Sequence, residues 1–219
     1  MTTITERPAA HAAKDAAEPD DAITLRRRTI DKILTGFGVV ATVAFLVAGI
    51  LLLWGSNFSA DYVRDELSSQ NITFPTEEEL RAEGRDDLVE FAGQDVTTGA
   101  HAEAYASYID GHLEGIAGGK TYSQIDDRGA AAAVEEAIEA GAPQAEIDEL
   151  QATADELAAQ RNTLFKGETL RGLLLSAYAW STVGDIAGYA AYGAFAAAAL
   201  MAVLVVLGFV HLRRHHAST

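Results

Sequence analysis

Two long stretches without a formal charge constrain this chain more than any other feature. Ile33 to Trp54 runs 22 residues and Ile186 to Leu212 runs 27, with histidine counted as neutral. A helix rises about 1.5 Å per residue, so roughly 20 apolar residues cross a hydrocarbon core of about 30 Å. A core helix of a water-soluble protein rarely needs so long an uncharged run on every face. The expectation is an all-α protein with two transmembrane helices, 33–54 and 186–212, and the lipid bilayer as its first partner.

The charge of the remainder orients these spans. Between Gly55 and Thr182 there are 25 Asp and Glu against 8 Lys and Arg, a balance of −17. Arg26, Arg27, Arg28 and Lys32 crowd the first span, and Arg213 and Arg214 follow the second. Lys and Arg close to the span ends mark the cytoplasmic side. Both termini are therefore expected in the cytoplasm, with an extracytoplasmic helical domain at 55–171. An acidic domain lacks the basic face that phosphate binding requires, so no nucleic acid partner is expected. The chain has no cysteine, which removes disulfides and thiolate metal ligands. Arg27-Arg28-Thr29-Ile30-Asp31-Lys32 faintly resembles a twin-arginine signal. No A-x-A site follows it, and Phe58 occupies the position where a cut after Ala60 would need a small residue, so retention of the segment is expected.

Residues 1–32 read as a disordered cytoplasmic tail, because Met1 to Leu25 has no apolar period, and residues 213–219 as a second tail. Beyond the first span, Val63 and Leu67 extend the helix until Asn71-Ile72-Thr73-Phe74-Pro75 breaks it. Thr76 with Glu79 predicts a capped short helix, and another short one surrounds Leu88 to Phe91. The main external helix is predicted from Gly99 to Ile116 with Thr98 as N-cap and Tyr105, Ile109, Leu113 and Ile116 as its apolar stripe. Gly118-Gly119 stops it, and Thr121 caps a turn near Ile125. An Ala-rich helix (Val134, Ile138), a Gly141-Ala142-Pro143 turn and a longer helix from Gln144 follow. Ile147, Leu150, Ala154 and Leu157 then repeat as in an antiparallel hairpin, with Ile147, Leu150 and Leu157 expected to be buried. Residues 172–185, closed by Gly184, predict a separate helix, too short to span, lying on the membrane surface or packed against the external domain; Tyr189 and Tyr192 form an aromatic belt, with Tyr178 and Trp180 just above it. That placement keeps Asp185 outside the hydrocarbon.

Motifs with chemical potential are few. Gly119-Lys120-Thr121 imitates the end of a P-loop, but the required earlier glycine is replaced by Glu114, and two helix caps explain the same residues. His101 and His112 share a helix face about 16 Å apart along the axis, so one metal cannot hold both. The clusters Glu77-Glu78-Glu79, Asp86-Asp87, Asp126-Asp127 and Glu135-Glu136 follow no calcium-loop pattern and read as a solvated face. The expectation is no catalytic residue, no metal site and no cofactor. Gly184 and Gly188, followed by Ala190, Ala194, Ala198 and Ala202, allow close helix approach, either by the first span or by a partner's helix.

Several strings carry a resemblance: Gly93-Gln94-Asp95-Val96-Thr97-Thr98-Gly99, Gly118-Gly119-Lys120-Thr121-Tyr122, and Thr163-Leu164-Phe165-Lys166-Gly167-Glu168-Thr169-Leu170-Arg171-Gly172. With Phe74-Pro75 and Ala104-Tyr105-Ala106, they resemble small actinobacterial two-pass membrane proteins of unknown function, over roughly Ile33 to Arg214. Members often carry the label "aromatic ring-opening dioxygenase LigA", which implies iron-dependent catechol cleavage. Such iron needs two histidines and a carboxylate converging on one point, and His101 with His112 cannot supply that. The functional expectation is a non-enzymatic accessory or scaffolding protein of the cell envelope that binds a membrane or envelope protein through its external helices or spans. The alternative is a ligand-sensing membrane protein with a helical-bundle input domain and a separate output partner.

Overall fold

The computed structural model describes the backbone of residues 19–216 and the side chains of residues 29–214. It is all-α: α1 (Pro19–Ser69), α2 (Glu77–Ala82), α3 (Gly99–Ile116), α4 (Asp127–Glu139) and α5 (Gln144–His216), with short 3₁₀ turns at Asp86–Phe91 and Tyr122–Gln124. Extended pairing among the described residues is limited to one isolated antiparallel bridge, Thr73 with Asp95. Two compact units emerge. One joins the described residues up to Leu51 with those from Ala191 onward, and the other is Leu52–Ala190.

Local chemistry sets the helix ends. Thr76 Oγ1 accepts the Glu79 N–H at 3.3 Å while Glu79 accepts the Thr76 N–H at 2.8 Å, a complete capping box for α2. Thr98 accepts the His101 N–H at 3.2 Å and opens α3. Asp126 accepts the Gly129 N–H at 2.9 Å and opens α4. At the end of α3, Gly118 and Gly119 have φ of 59° and 79°, and the Gly119 N–H returns to the Glu114 carbonyl at 3.0 Å. This is a Schellman-type stop, which needs left-handed backbone that glycine adopts without a Cβ penalty.

The Leu52–Ala190 unit holds a core of Val63 and Leu67 from α1, Phe74, Leu80 from α2, Leu88, Val96, Ala102 and Ala106 from α3, and Leu174 from α5. Leu113, Ile125 and Leu164 form a second cluster. The face of α3 turned inward differs from the large-residue stripe expected from sequence. Gly99, Ala102, Ala106 and Leu113 are buried, Tyr105 and Ile109 are half-buried, and Ile116 is 38% exposed. The reason is close approach. A Cβ on Gly99 would collide with the Ser181 side chain and lie 3.5 Å from the Tyr178 Cα, so nothing larger than glycine fits at that end of the helix. Asp127 at the start of α4 meets Arg161 of α5 at 3.3 Å, which sets the two helices antiparallel. Along this hairpin Ala154 is buried, but Ile147, Leu150 and Leu157 are only half-buried. Ile138 is 56% exposed.

Two helix extents depart from the sequence reading. α1 already begins at Pro19, so residues 19–32 are helical rather than tail; residues 1–18 of that tail and 217–219 of the C-terminal tail lie outside the described residues. α5 passes through residues 172–185 without a break. Gly184 does not terminate it, because its bare backbone is held against α1. An added Cβ there would sit 2.9 Å from the Ser59 Cβ and 3.4 Å from the Ser56 carbonyl oxygen. Gly188 faces Ser56 in the same way, at 2.9 Å from Oγ.

In the other unit, Gly49 receives the Phe195 ring and Gly38 receives Val205, each within 2.8 Å of an added Cβ, and Gly208 faces Thr35 at 2.9 Å. Small residues on one helix thus sit under side chains of the other, the packing that lets apolar helices associate without a hydrophobic drive. The rest of this surface is apolar and uncovered: Leu34, Phe37, Val40, Leu200 and Val203 are all more than half exposed.

Candidate functional site

A concavity lies within the Leu52–Ala190 unit, between the C-terminal part of α1 and the middle of α5. Val63 and Leu67 turn into the core from α1, as Leu174 does from α5. Where the two helices diverge beside them, a groove of about 320 Å³ remains, with Leu170, Leu173 and Ala177 as its other wall. Tyr62 and Trp180, half-exposed at 50% and 55%, stand at one end. Glu66, Gln70 and Ser176 supply its few polar atoms. Immediately past Trp180 the helices lock together. The buried Ser59 hydroxyl donates to the Trp180 carbonyl at 2.6 Å, and Gly184 lies against Ser59. The donor satisfies a carbonyl already in the helix ladder, so it fixes helix separation without leaving an orphaned group. Trp54, Phe58 and Tyr62 stack in sequence at 5.7 and 6.2 Å between centroids, an exposed aromatic ladder that ends at the groove.

Sequence reasoning missed this groove. Its signal was present in Leu170, Leu173 and Trp180, large apolar residues that remain exposed on α5 outside the 186–212 span. Periodicity assigns such residues to a face but does not say whether that face is covered.

The residues singled out earlier for chemistry hold structural positions. His101 Nδ1 accepts the Thr97 N–H at 3.3 Å, and its ring packs edge-on against Phe74 and Phe91. His112 packs edge-on to Tyr108 at 4.5 Å between centroids, with Nε2 3.8 Å from Glu83. The two rings therefore serve separate neighbourhoods of α3 and are not brought together. No group of three or more His, Asp or Glu able to hold a metal ion occurs among the described residues. Gly119, Lys120 and Thr121 share a small hollow with Asp110, Glu114 and Glu168, three carboxylates that would repel a phosphate. Thr121 there caps the following turn, accepting no ligand role: its N–H donates to Gln124 at 2.9 Å.

The acidic clusters are also accounted for in part by local structure. Glu77 and Asp86 both pair with Arg81, at 2.8 and 3.2 Å. The Arg85 guanidinium, bonded to Asp87 at 2.8 Å, holds that carboxyl below its ordinary range. The N–H of Thr76 does the same for Glu79. Burial, reinforced by the adjacent Glu83 charge and its hydrogen bond, pushes the Tyr108 phenol up to about 12. These are exposed or half-exposed groups tied to one another, a surface network rather than a convergent site.

Comparison of the chain with family models, with curated proteins and with solved structures returns no match. The functional reading therefore stands on the geometry alone.

Proposed function

We propose that the chain is a non-enzymatic integral membrane accessory or scaffolding protein of the cell envelope. In this reading α1 and α5 each cross the bilayer, both termini are cytoplasmic, and the acidic helical unit lies outside and meets an envelope partner. The observation that carries it is the state of the two apolar helices. Each contains an 18-residue window of mean hydropathy 2.5, and only 6% of that window is buried by protein. A core helix of a soluble protein would be mostly covered, and a water-exposed apolar belt of this extent marks a membrane or interaction surface. The small-residue faces of the two helices are occupied by each other, at Gly38, Gly49, Gly184 and Gly188. That leaves the external helices, rather than the glycine faces of the spans, as the place for a protein partner.

Topology is tested by a single cysteine at Gln124 or at Ala217 in intact cells. Labelling by an impermeant maleimide at Gln124 alone supports the arrangement; labelling at Ala217 alone overturns it. Partner location is tested by a photo-crosslinking residue at Ile138 or at Val203. A discrete protein adduct from Ile138 supports external binding, and adducts from Val203 alone reverse it.

A second reading, a ligand sensor with a separate output partner, draws on one observation: the groove is built on the same two helices that continue into the apolar segments. Ligand-dependent melting of the purified chain would favour it over the scaffold.

A further inference from the structure

The groove's shape and chemistry bear on what it holds. It runs from Tyr62 on α1 to Gln70 just past its end and from Leu170 to Trp180 on α5, about 12–15 Å in length. Its 320 Å³ sits at the lower end of the roughly 300–1,000 Å³ typical of small-ligand sites. Two turns of a helix about 10 Å in diameter displace roughly 800 Å³, so a partner helix could not be enclosed there. No lysine or arginine lines it, and Glu66 is its charged member. The groove therefore offers nothing to an anionic headgroup or an acidic peptide, and its apolar walls suit a chain without charge. At the Trp180 end it continues into exposed apolar surface, along Phe58 and Trp54 on α1 and Val183 and Ile186 on α5, all more than half exposed. Under the membrane placement proposed above, on which this inference rests, that surface lies at the level of the lipid headgroups, at the outer ends of the two spans.

We infer that the groove takes the acyl chain of a bilayer phospholipid, which enters past Trp180 and Tyr62 and lies against Val63, Leu67, Leu170 and Leu173. The aromatic ladder is the entry path. Trp and Tyr rings settle at the headgroup level because they combine an apolar body with a polar edge. A chain passing between them leaves one apolar surface for another and exposes little hydrocarbon to water. Filling the groove removes water from Leu170 and Leu173, which the fold leaves 41% and 65% exposed.

Quenching by brominated acyl chains reports chain contact directly, and the chain has only two tryptophans, Trp54 and Trp180. The full-length protein is reconstituted into nanodiscs of phosphatidylcholine brominated near the chain ends. With Trp180→Phe, the remaining Trp54, at the outer end of the first span, tests the membrane placement itself in discs whose lipid is brominated near the headgroup instead. With both native tryptophans replaced by phenylalanine, a reporter is introduced either at Gln70, in the groove, or at Ser68, exposed outside it. The two positions are two residues apart at the end of α1 and differ by only about 3 Å in height, so depth is matched while only Gln70 lines the groove. The expected result is that Gln70→Trp loses more than half its fluorescence in brominated discs while Ser68→Trp loses little. Adding Ser176→Phe, which fills the groove from an exposed wall position, should reduce quenching at Gln70→Trp to the Ser68→Trp level. Equal quenching at both reporters, none at Gln70→Trp, or quenching that persists with Ser176→Phe overturns the inference while strong quenching of Trp54 leaves the membrane reading intact. Absence of quenching at Trp54 overturns both.

Discussion

Replacing Gly184 by leucine asks whether the close approach of α1 and α5 is a stabilising contact. The added Cβ would stand 2.9 Å from the Ser59 Cβ, 3.0 Å from its hydroxyl and 3.4 Å from the Ser56 carbonyl oxygen. Carbon pairs rest at about 3.5–4.0 Å, so the Cβ alone demands a local separation of about 0.6–1 Å, and three further carbons demand more. Overpacking of this kind costs about 1–3 kcal/mol. Separation also breaks the Ser59–Trp180 hydrogen bond, which adds about 0.5–1.5 kcal/mol. Against this, leucine is favoured over glycine within a helix by about 1 kcal/mol. The net destabilisation is about 1–3 kcal/mol. Gly193 on the same helix and Gly36 on α1 provide the control, because an added Cβ at either meets nothing within 4 Å. Gly193→Leu should gain the helix-propensity term alone. The two α5 variants should therefore differ by about 2–4 kcal/mol, or roughly 5–15 °C in Tm at about 2–4 °C per kcal/mol for a chain of this size. Thermal melting of the full chain in mild detergent, followed by tryptophan fluorescence, measures the difference. Should Gly184→Leu melt with or above Gly193→Leu, the helix contact contributes nothing and the argument from close packing fails.

Leu80→Ala removes a fully buried side chain from the main core and should cost about 2–5 kcal/mol, whereas half-buried Leu150→Ala should cost only about 1–2 kcal/mol; equal losses in chemical denaturation would contradict the burial pattern. Tyr108, whose phenol is pushed up to about 12, should keep its proton at pH 11, so Tyr108→Phe should remove almost no tyrosinate absorbance at that pH. Because its folded pKa exceeds the ordinary value of about 10, its contribution to stability is complete below pH 10 and is lost as pH rises toward 12; a tyrosinate signal from Tyr108 at pH 10 would show that the ring is freely solvated. Purified protein should hold no stoichiometric iron and leave catechols intact, since His101 and His112 serve separate structural neighbours; one iron per chain that disappears with His101→Ala would reverse this.

Much of the local architecture was already legible in the residues. The Thr76–Glu79 capping box, the start of α3 after Thr98, its stop at Gly118-Gly119 and the turn at Gly141-Ala142-Pro143 all occur where the sequence places them. Two apolar helices of membrane-crossing length are present as well. Each of these features is determined by residues contiguous in sequence, the caps and left-handed glycines within about five positions and the spans by an unbroken apolar run. Tertiary packing decided the rest. Gly184 resembles a helix stop by sequence but serves as a contact inside α5, because Ser59, 125 positions earlier, occupies the space a side chain would need. The inward face of α3 keeps Tyr105, Ile109 and Leu113 but begins with small residues, because α5 approaches too closely at Gly99 for anything bigger. The groove beside Leu170 and Leu173 exists only because the fold brings residues of α1 and α5, more than a hundred positions apart in sequence, to its two walls. Hydrophobicity along a chain specifies which surfaces must leave water, but the distance between two backbones determines which neighbour, if any, covers them.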